Sequence, residues 1–188
     1  MIGNKRIYAI IPARAGSKRL KKKNIKLLNG RPLLSYAINA CKASIYIDEI
    51  YVSTESKDIA KIAEEHGSKI LKRPQELAED NVSTQDVMKH FAESFAEFEI
   101  LVLVQANSPQ IKPQSIDKGL ELMEKNNLWE VRSVNFEGLE NGAFWITKRK
   151  TIFWNSLSVY FGVVQDNAID IHDEEDLEEV EAQMSNGN

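Results

Sequence analysis

The sequence predicts an α/β fold, a three-layer α/β/α sandwich in which helices cover both faces of a mostly parallel sheet. Three observations predict it: apolar runs alternate with amphipathic helical patterns, the runs are hydrophobic at consecutive positions, and no repeat or linker divides the chain. Continuous apolar runs are typical of strands that are covered on both faces. We therefore expect a single domain spanning residues 1–188.

The first elements of this alternation are predicted in the N-terminal part of the chain. Arg6–Pro12 (RIYAIIP) and Glu49–Ser53 (EIYVS) are rich in β-branched and aromatic residues, which favours strands. A helix is predicted over residues 32–43, where a proline suits the first turn. A second, amphipathic helix is predicted over Lys57–His66, because Gly67 follows it as a natural C′ residue.

The remaining elements continue the same pattern. Further strands are predicted at Lys69–Leu71, Glu99–Gln105, Glu130–Val134 and Ala143–Thr147. Further helices are predicted from Ser83 or Thr84 to about Phe95, over Pro113–Lys125 and over Glu174–Met184.

Composition and charge exclude several classes of function. The net charge is -4 and the sequence pI is about 5.5, which argues against a nucleic-acid partner, because nucleic-acid-binding domains are usually basic. No apolar run is long enough to span a bilayer, and the N-terminus lacks a signal-peptide pattern, so we expect no membrane association and a cytoplasmic location. Cys41 is the only cysteine, and its apolar surroundings predict a small core residue rather than a nucleophile.

A basic segment, IPARAGSKRLKKKN, follows the first predicted strand at Ile11–Asn24 and contains six basic residues and no acid. Its alanine, glycine and serine residues would let backbone N–H groups approach an anion closely. In parallel sheets ligands bind beyond the carboxyl ends of the strands, where the loops 12–24, 53–56 and 105–113 should meet. The segment therefore predicts a polyphosphate site, although Lys21–Lys23 taken alone is more typical of a solvated loop. It has neither a Walker P-loop pattern nor GxGxxG.

Five further segments follow the basic one in order: YVSTESKDIAKIAEEHG, KRPQELAEDNVSTQDV, LVQANSPQI, NGAFWI and IDIHDEEDL. Together they resemble the acylneuraminate cytidylyltransferase (CMP-N-acetylneuraminic acid synthetase) family over nearly the whole chain. The resemblance implies a Rossmann-like nucleotide-diphospho-sugar transferase fold. It also implies an enzyme that transfers CMP from CTP to the anomeric hydroxyl of a sialic-acid-like sugar acid and releases pyrophosphate.

The resemblance implies a set of residues for the nucleotide. They are Arg14, Ser17, Lys18, Lys23, Asn24, Arg73 and Ser83. Arg14, Lys18 and Lys23 would be catalytic, because fixed positive charge neutralises the charge that develops around the α-phosphate and the pyrophosphate. Asn24 and Arg73 would contact the base.

The resemblance also implies residues for the acceptor and for a metal. Gln105, Asn107 and Asn141 would bind the sugar. Asp170 and His172 would bind Mg²⁺, the expected cofactor, because they stand at the two acidic positions of the family's IDID motif. CTP and a sugar acid are therefore the expected partners.

Three features depart from the family pattern. His172 replaces the second Asp of IDID, and QANSPQI replaces QPTSPLR, so that Asn107 stands in place of Thr. The family's dimerisation arm is replaced by the short segment Asn135–Glu140, which leaves the oligomeric state open. Two alternatives therefore stay beside the sugar acid: a different or smaller acceptor, and a nucleotide-binding protein with reduced or lost catalysis.

Overall fold

The computed structural model describes residues 2–154 and 158–186. The strands in these residues are β1 (Ile7–Pro12), β2 (Leu27–Leu28), β3 (Arg31–Pro32), β4 (Glu49–Thr54), β5 (Lys69–Lys72), β6 (Ile100–Val104), β7 (Glu130–Val134), β8 (Glu140–Lys148) and β9 (Phe161–Gln165). The α-helices are α1 (Leu33–Ala43), α2 (Lys57–Glu65), α3 (Thr84–Ser94), α4 (Pro113–Lys125) and α5 (Glu174–Asn186). Short 3₁₀ helices lie at Lys23–Ile25, Gln75–Ala78 and Arg149–Phe153.

Seven strands form one sheet in the order β5-β4-β1-β6-β8-β7-β9. All neighbouring pairs are parallel except the two made by β8, which runs antiparallel to both β6 and β7. The predicted mostly parallel sheet is therefore confirmed. β2 and β3 form a separate antiparallel pair beside it.

Helices cover both faces of the sheet, as predicted. On β6 every residue is buried, and successive side chains enter two different clusters: Ile100, Val102 and Val104 on one face, Leu101 and Leu103 on the other. The first cluster contains the apolar faces of α1, α2 and α4, and the second contains that of α3. This alternation explains why the strand sequence is hydrophobic at every position.

Close packing of α4 on the sheet depends on a glycine. A Cβ atom at Gly119 would lie 2.6 Å from Cδ1 of Ile146, well inside contact distance. The glycine therefore lets the helix backbone approach β8. α5 packs elsewhere: Leu177 and Val180 join Leu28 and Leu33 in a third cluster that covers the β2–β3 pair.

The predicted strands and helices are all present, and β9 was not predicted. Its sequence, FGVVQ, has a glycine in its interior, which weakens a strand signal. A Cβ atom at Gly162 would lie 2.6 Å from Cδ1 of Leu128, so a larger residue there would require that leucine to shift. β8 is longer than predicted, because it begins in the polar residues before Ala143.

The structure also bears on the predicted role of Cys41 and on membrane-spanning helices. Cys41 lies in the core, and burial raises the pKa of its thiol to about 12, which fits the predicted structural role. Among the described residues, no helix is both long and apolar enough to cross a membrane.

Candidate active site

A cleft opens at the carboxyl ends of β1, β4 and β6, where the three predicted loops meet. Pro12, Arg73 and Gln105 come from three different segments and line one cavity of about 210 Å³. The loop after β4 joins them, since Glu55 Oε1 accepts a hydrogen bond from the N–H of Ala15 at 2.7 Å. The sheet therefore gathers the candidate residues at the edge that the sequence predicts.

The basic segment is held in a defined conformation by its own residues. Asn24 Nδ2 donates to the carbonyl oxygen of Arg14 at 2.8 Å, across the loop, and the side chain of Asn24 is only 8% exposed. The N–H of Ser17 donates to the carbonyl oxygen of Ala15 at 2.9 Å, which closes a tight turn. Leu20 is buried against the α5 cluster. Of the charged side chains of the segment, Arg14, Lys18, Arg19 and Lys23 line the cavity beside it, of about 270 Å³.

Two of the predicted phosphate ligands, Arg14 and Lys18, share one carboxylate. Arg14 Nη2 lies 2.6 Å from Asp80 Oδ1, and the Lys18 ammonium contacts Asp80 Oδ2. Hydrogen bonds from Lys18 and Arg14 lower the pKa of Asp80, so this group stays ionised. Asp80 was not among the predicted site residues, although it is the last of the three acids in the KRPQELAED segment. It is a local counter-ion for two cations that could otherwise hold an anion.

Lys23 lies deeper, between the cavity of about 210 Å³ and the C-terminal segment. Its Nζ donates to the carbonyl oxygen of Ile171 at 2.8 Å. Burial lowers the pKa of Lys23, and the nearby Asp170 carboxylate opposes that effect. Lys23 is therefore a partly buried charge in a fixed position.

Arg73 and Ser83 form part of the cleft wall. Arg73 is 4% exposed, and it donates from Nε to Ser53 Oγ at 3.1 Å and from Nη2 to the Ser53 carbonyl oxygen at 2.8 Å. Burial lowers its pKa to about 10. Ser83 is the N-cap of α3, where its Oγ accepts from the N–H of Asp86 at 3.1 Å. Both side chains line the cavity and both also stabilise the structure around it.

The two predicted metal ligands are adjacent. His172 Nε2 lies 3.3 Å from Asp170 Oδ2, while Asn107 Nδ2 donates to Asp170 Oδ1. Burial raises the pKa of Asp170, and the charges of His172 and Lys23 oppose that shift. Asp173 instead begins α5, where its Oδ1 accepts from the N–H of Asp176 at 3.2 Å.

The side chains at the predicted metal site are one carboxylate, that of Asp170, and one imidazole, that of His172. In the described part of the chain, no group of three or more His, Cys, Asp or Glu side chains is placed to hold a metal ion. Mg²⁺ at phosphate sites commonly uses only one or two carboxylates and takes its other ligands from phosphates and water. Asp170 fits that role, whereas the imidazole of His172 is a poorer ligand for this ion.

A second, more open pocket of about 1000 Å³ lies beside the first. Asn141 lines it and is held by bonds from Nδ2 to the carbonyl oxygens of Asp166 at 2.6 Å and Ala168 at 3.2 Å. Of the three residues predicted to bind the sugar, Asn141 lines this pocket, whereas Gln105 and Asn107 line the first cavity, of about 210 Å³. A third cavity lies under the basic segment and is lined by Ser17 and Lys18 of that segment. His172 lines both this third cavity and the open pocket, and thus marks their junction.

Comparison with known proteins identifies the family. A family model described as cytidylyltransferase matches residues 8–153. The chain belongs to the cytidylyltransferase family. The matched residues include the basic segment, Arg73, Ser83 and the Asn141 strand, but they end before Asp170 and His172.

Individual relatives agree with the family match. The chain is 36% identical over 131 residues to N-acylneuraminate cytidylyltransferase A of Danio rerio, a match that covers 70% of this chain and 30% of that protein. It is 40% identical over 122 residues to the CMP-N,N'-diacetyllegionaminic acid synthase of Legionella pneumophila, covering 62% of this chain and 53% of that protein. The match thus spans between about a third and a half of these relatives.

Solved structures confirm the fold. A CMP:2-keto-3-deoxy-manno-octonic acid synthetase complexed with CTP superposes with a TM-score of 0.79 at 14% identity, covering 97% of this chain and all of that one. This cytidylyltransferase-family chain is a shortened member: β7 and β8 are joined by the turn 135–139, in which Asn135 Oδ1 accepts from the N–H groups of Glu137 and Leu139.

Proposed function

We propose that this chain transfers CMP from CTP to a hydroxyl group of a sugar acceptor and releases pyrophosphate. One observation carries the proposal: the basic segment of a cytidylyltransferase-family chain lines a cleft that adjoins a second pocket at Asp170 and His172. A donor site and an acceptor site that share a boundary suit a transfer reaction, because both substrates must be held in line.

In the proposed reaction the acceptor oxygen forms a bond to the α-phosphorus, and the bond from that phosphorus to the pyrophosphate oxygen breaks. The acceptor hydroxyl releases its proton to the solvent in the process. Arg14, Lys18 and Lys23 would neutralise the negative charge that moves onto the pyrophosphate. Binding of the triphosphate would require Arg14 and Lys18 to exchange Asp80 for phosphate oxygens.

The other nucleotide contacts follow from the cleft wall. Ser17 lines the cavity under the basic segment, and Arg73 and Ser83 line the deeper one. We propose that Arg73 and Ser83 lie near the base and that Asn24 acts mainly by holding Arg14 in place. Direct contact of Asn24 with the base stays a prediction.

We further propose that Asp170 holds Mg²⁺ together with the phosphates, with His172 at its edge. The bound ion would supply positive charge at the phosphate oxygens. Asp170 is suited to this because it lies partly buried at the boundary of the two pockets, beside Lys23. Gln105 and Asn107 would then face the nucleotide phosphates from the end of β6.

Two classes of acceptor are candidates. The names of the relatives favour a sialic-acid-like sugar acid, joined through its anomeric hydroxyl. The short turn 135–139 favours a different or smaller acceptor. A cytoplasmic location stays a prediction from the sequence.

The test is to incubate the protein with CTP, Mg²⁺ and a panel of acceptors and to measure pyrophosphate. We expect release with at least one acceptor and its loss in Arg14→Ala and Lys23→Ala. Absence of both CTP binding and pyrophosphate release would refute the proposal. CTP binding without release, and without any gain in His172→Asp, would instead support a nucleotide-binding protein that has lost catalysis.

A further inference from the structure

The two edges of the seven-stranded sheet differ in how they are protected. β5, at one edge, carries Lys69 and Lys72, and both of these lysines are exposed. Charged residues, and lysine above all, keep an edge strand from pairing with another chain. β9, at the other edge, has the sequence FGVVQ, which contains neither a charged residue nor a proline. The β9 edge therefore lacks the usual protection against strand pairing.

Exposed apolar side chains are concentrated along β9 and just before it. Val159, Tyr160, Phe161 and Val163 are between 49% and 85% exposed. The opposite face of the strand is covered, because α4 packs there and Val164 belongs to the core. A contiguous group of exposed apolar side chains is typical of a surface that binds another protein.

The outer backbone groups of β9 are available for pairing. Within the described ranges β9 is paired with β7 alone. The N–H of Glu130 donates to the carbonyl oxygen of Tyr160, and the N–H of Asp166 donates to that of Val134, so these even-numbered residues of the β9 segment face β7. Successive residues of a strand direct their N–H and C=O groups to opposite sides. The residues whose backbone groups point outward are therefore Phe161, Val163 and Gln165.

A second copy of the chain fits this edge. A twofold axis at Val163 would pair two β9 strands antiparallel, with Val163 opposite its own counterpart and Phe161 opposite Gln165. All three outward residues of each strand would then be hydrogen-bonded. Near a twofold axis each residue meets its own kind, so a charge there would be repelled by its copy. The segment 158–165 contains no charged residue and is therefore electrostatically compatible with itself.

The area that two such edges could bury is large enough for association. The exposed parts of Tyr160 and Phe161 together equal about one full aromatic side chain, roughly 200 Å² on each copy. Val159 and Val163 add a comparable area. With the strand backbone, the pairing would bury about 1,000 Å² over both copies, which is the lower end of what a specific interface requires.

We propose that the chain forms a symmetric dimer in which the β9 edges of two copies pair antiparallel and join their sheets. The surface is separate from the nucleotide cleft, because no residue of β9 lines the cavities of about 210 Å³ and 270 Å³. The inference therefore goes beyond the proposed transfer reaction. A dimer that releases no pyrophosphate would refute the proposed function and leave this inference intact.

The first test is sedimentation equilibrium of the full chain over a dilution series. The wild type should have the mass of two chains of 21.3 kDa each. Val163→Lys places like charges opposite each other and should raise the dissociation constant about 100-fold, whereas the uncharged, β-branched Val163→Thr should stay dimeric. Ile45→Lys is the matched control, because Ile45 is an exposed apolar residue outside β9, and it should also stay dimeric. A wild type that is monomeric at every concentration, or a Val163→Lys variant that dimerises like the wild type, would overturn the inference.

The second test checks the register by oxidation of cysteine variants with diamide. Val163→Cys should form a covalent dimer, because the Cα atoms of a hydrogen-bonded antiparallel pair lie about 5.5 Å apart, within the range of a disulfide. Phe161→Cys should form none, since it faces Gln165, but Phe161→Cys combined with Gln165→Cys should. Cys41 is buried and should not interfere. A dimer that Val163→Cys does not cross-link would pair through another surface and would refute the inference.

Discussion

Asn24 provides a sharp test of how the basic segment works. Its Nδ2 donates to the carbonyl oxygen of Arg14 at 2.8 Å and thereby joins the two ends of the loop that carries the cations. Asn24→Ala removes this bond and leaves a partly buried carbonyl oxygen without its partner. We expect the loop to become mobile, so that part of the binding energy of any nucleotide must be used to order it.

The size of the effect follows from that single bond. A neutral hydrogen bond contributes about 0.5–1.5 kcal/mol net, and an unsatisfied partly buried carbonyl adds to the loss, so a cost of about 1–2 kcal/mol is expected. That free energy corresponds to a loss of about 5- to 30-fold in affinity. Because we propose that the loop holds the phosphates, CTP and UTP should lose affinity by the same factor.

The assay is calorimetric titration of the wild type and the variant with CTP and with UTP. Asn126→Ala is a suitable control, because Asn126 Nδ2 also donates to a backbone carbonyl oxygen, that of Leu122, but at the end of α4. Its nucleotide affinities should not change. If Asn24→Ala loses affinity for CTP alone, the residue contacts the base, and the argument that it acts by holding Arg14 is wrong.

Three further predictions concern single side chains. Asp80→Asn should lower the KM for CTP severalfold at low salt, because Arg14 and Lys18 would no longer be shared with a carboxylate; an unchanged or higher KM would contradict this. Burial lowers the pKa of Lys23, so pyrophosphate release should fall as the pH rises through that lowered pKa, and Lys23→Arg should move the fall to higher pH. Superimposable alkaline limbs in the two pH–rate profiles would refute the second prediction. Cys41 should resist iodoacetamide in the folded protein, as followed by mass spectrometry, because it is buried and its pKa is about 12; rapid labelling without unfolding would show otherwise.

Much of the fold could be predicted because its strongest signals are local. The run ILVLV in β6 is apolar at every position, and both faces of that strand are covered. The position of β8 between β6 and β7 depends on tertiary packing, and no local pattern encodes it. β9 was not predicted for a related reason. Its glycine, Gly162, weakens the local strand pattern, and the close contact with Leu128 that favours a glycine there involves another segment of the chain.

The candidate site shows the same division. The convergence of the loops could be predicted, because the carboxyl ends of parallel strands share one edge of the sheet. The pairing of Arg14 with Asp80 could not, because these residues are far apart in the sequence and meet only after the 3₁₀ helix at Gln75–Ala78 has been placed. The spacing of charges along a chain indicates which groups are present, but not which of them neutralise each other.

The two departures from the family motifs that lie closest to the chemistry are not independent. Asn107, where the family pattern has Thr, donates to Asp170 Oδ1, and His172, where the pattern has a second Asp, lies 3.3 Å from Asp170 Oδ2. Each oxygen of the remaining carboxylate thus faces one of the replaced positions. Asn107 also holds the backbone at Ile171. Asn107 Nδ2 donates to the Ile171 carbonyl oxygen at 3.1 Å, and the N–H of Ile171 donates to the Asn107 carbonyl oxygen at 2.9 Å. The Ile171 carbonyl oxygen also accepts from Lys23. A change at position 107 would therefore alter the surroundings of both Asp170 and Lys23, which meet at the boundary of the two pockets.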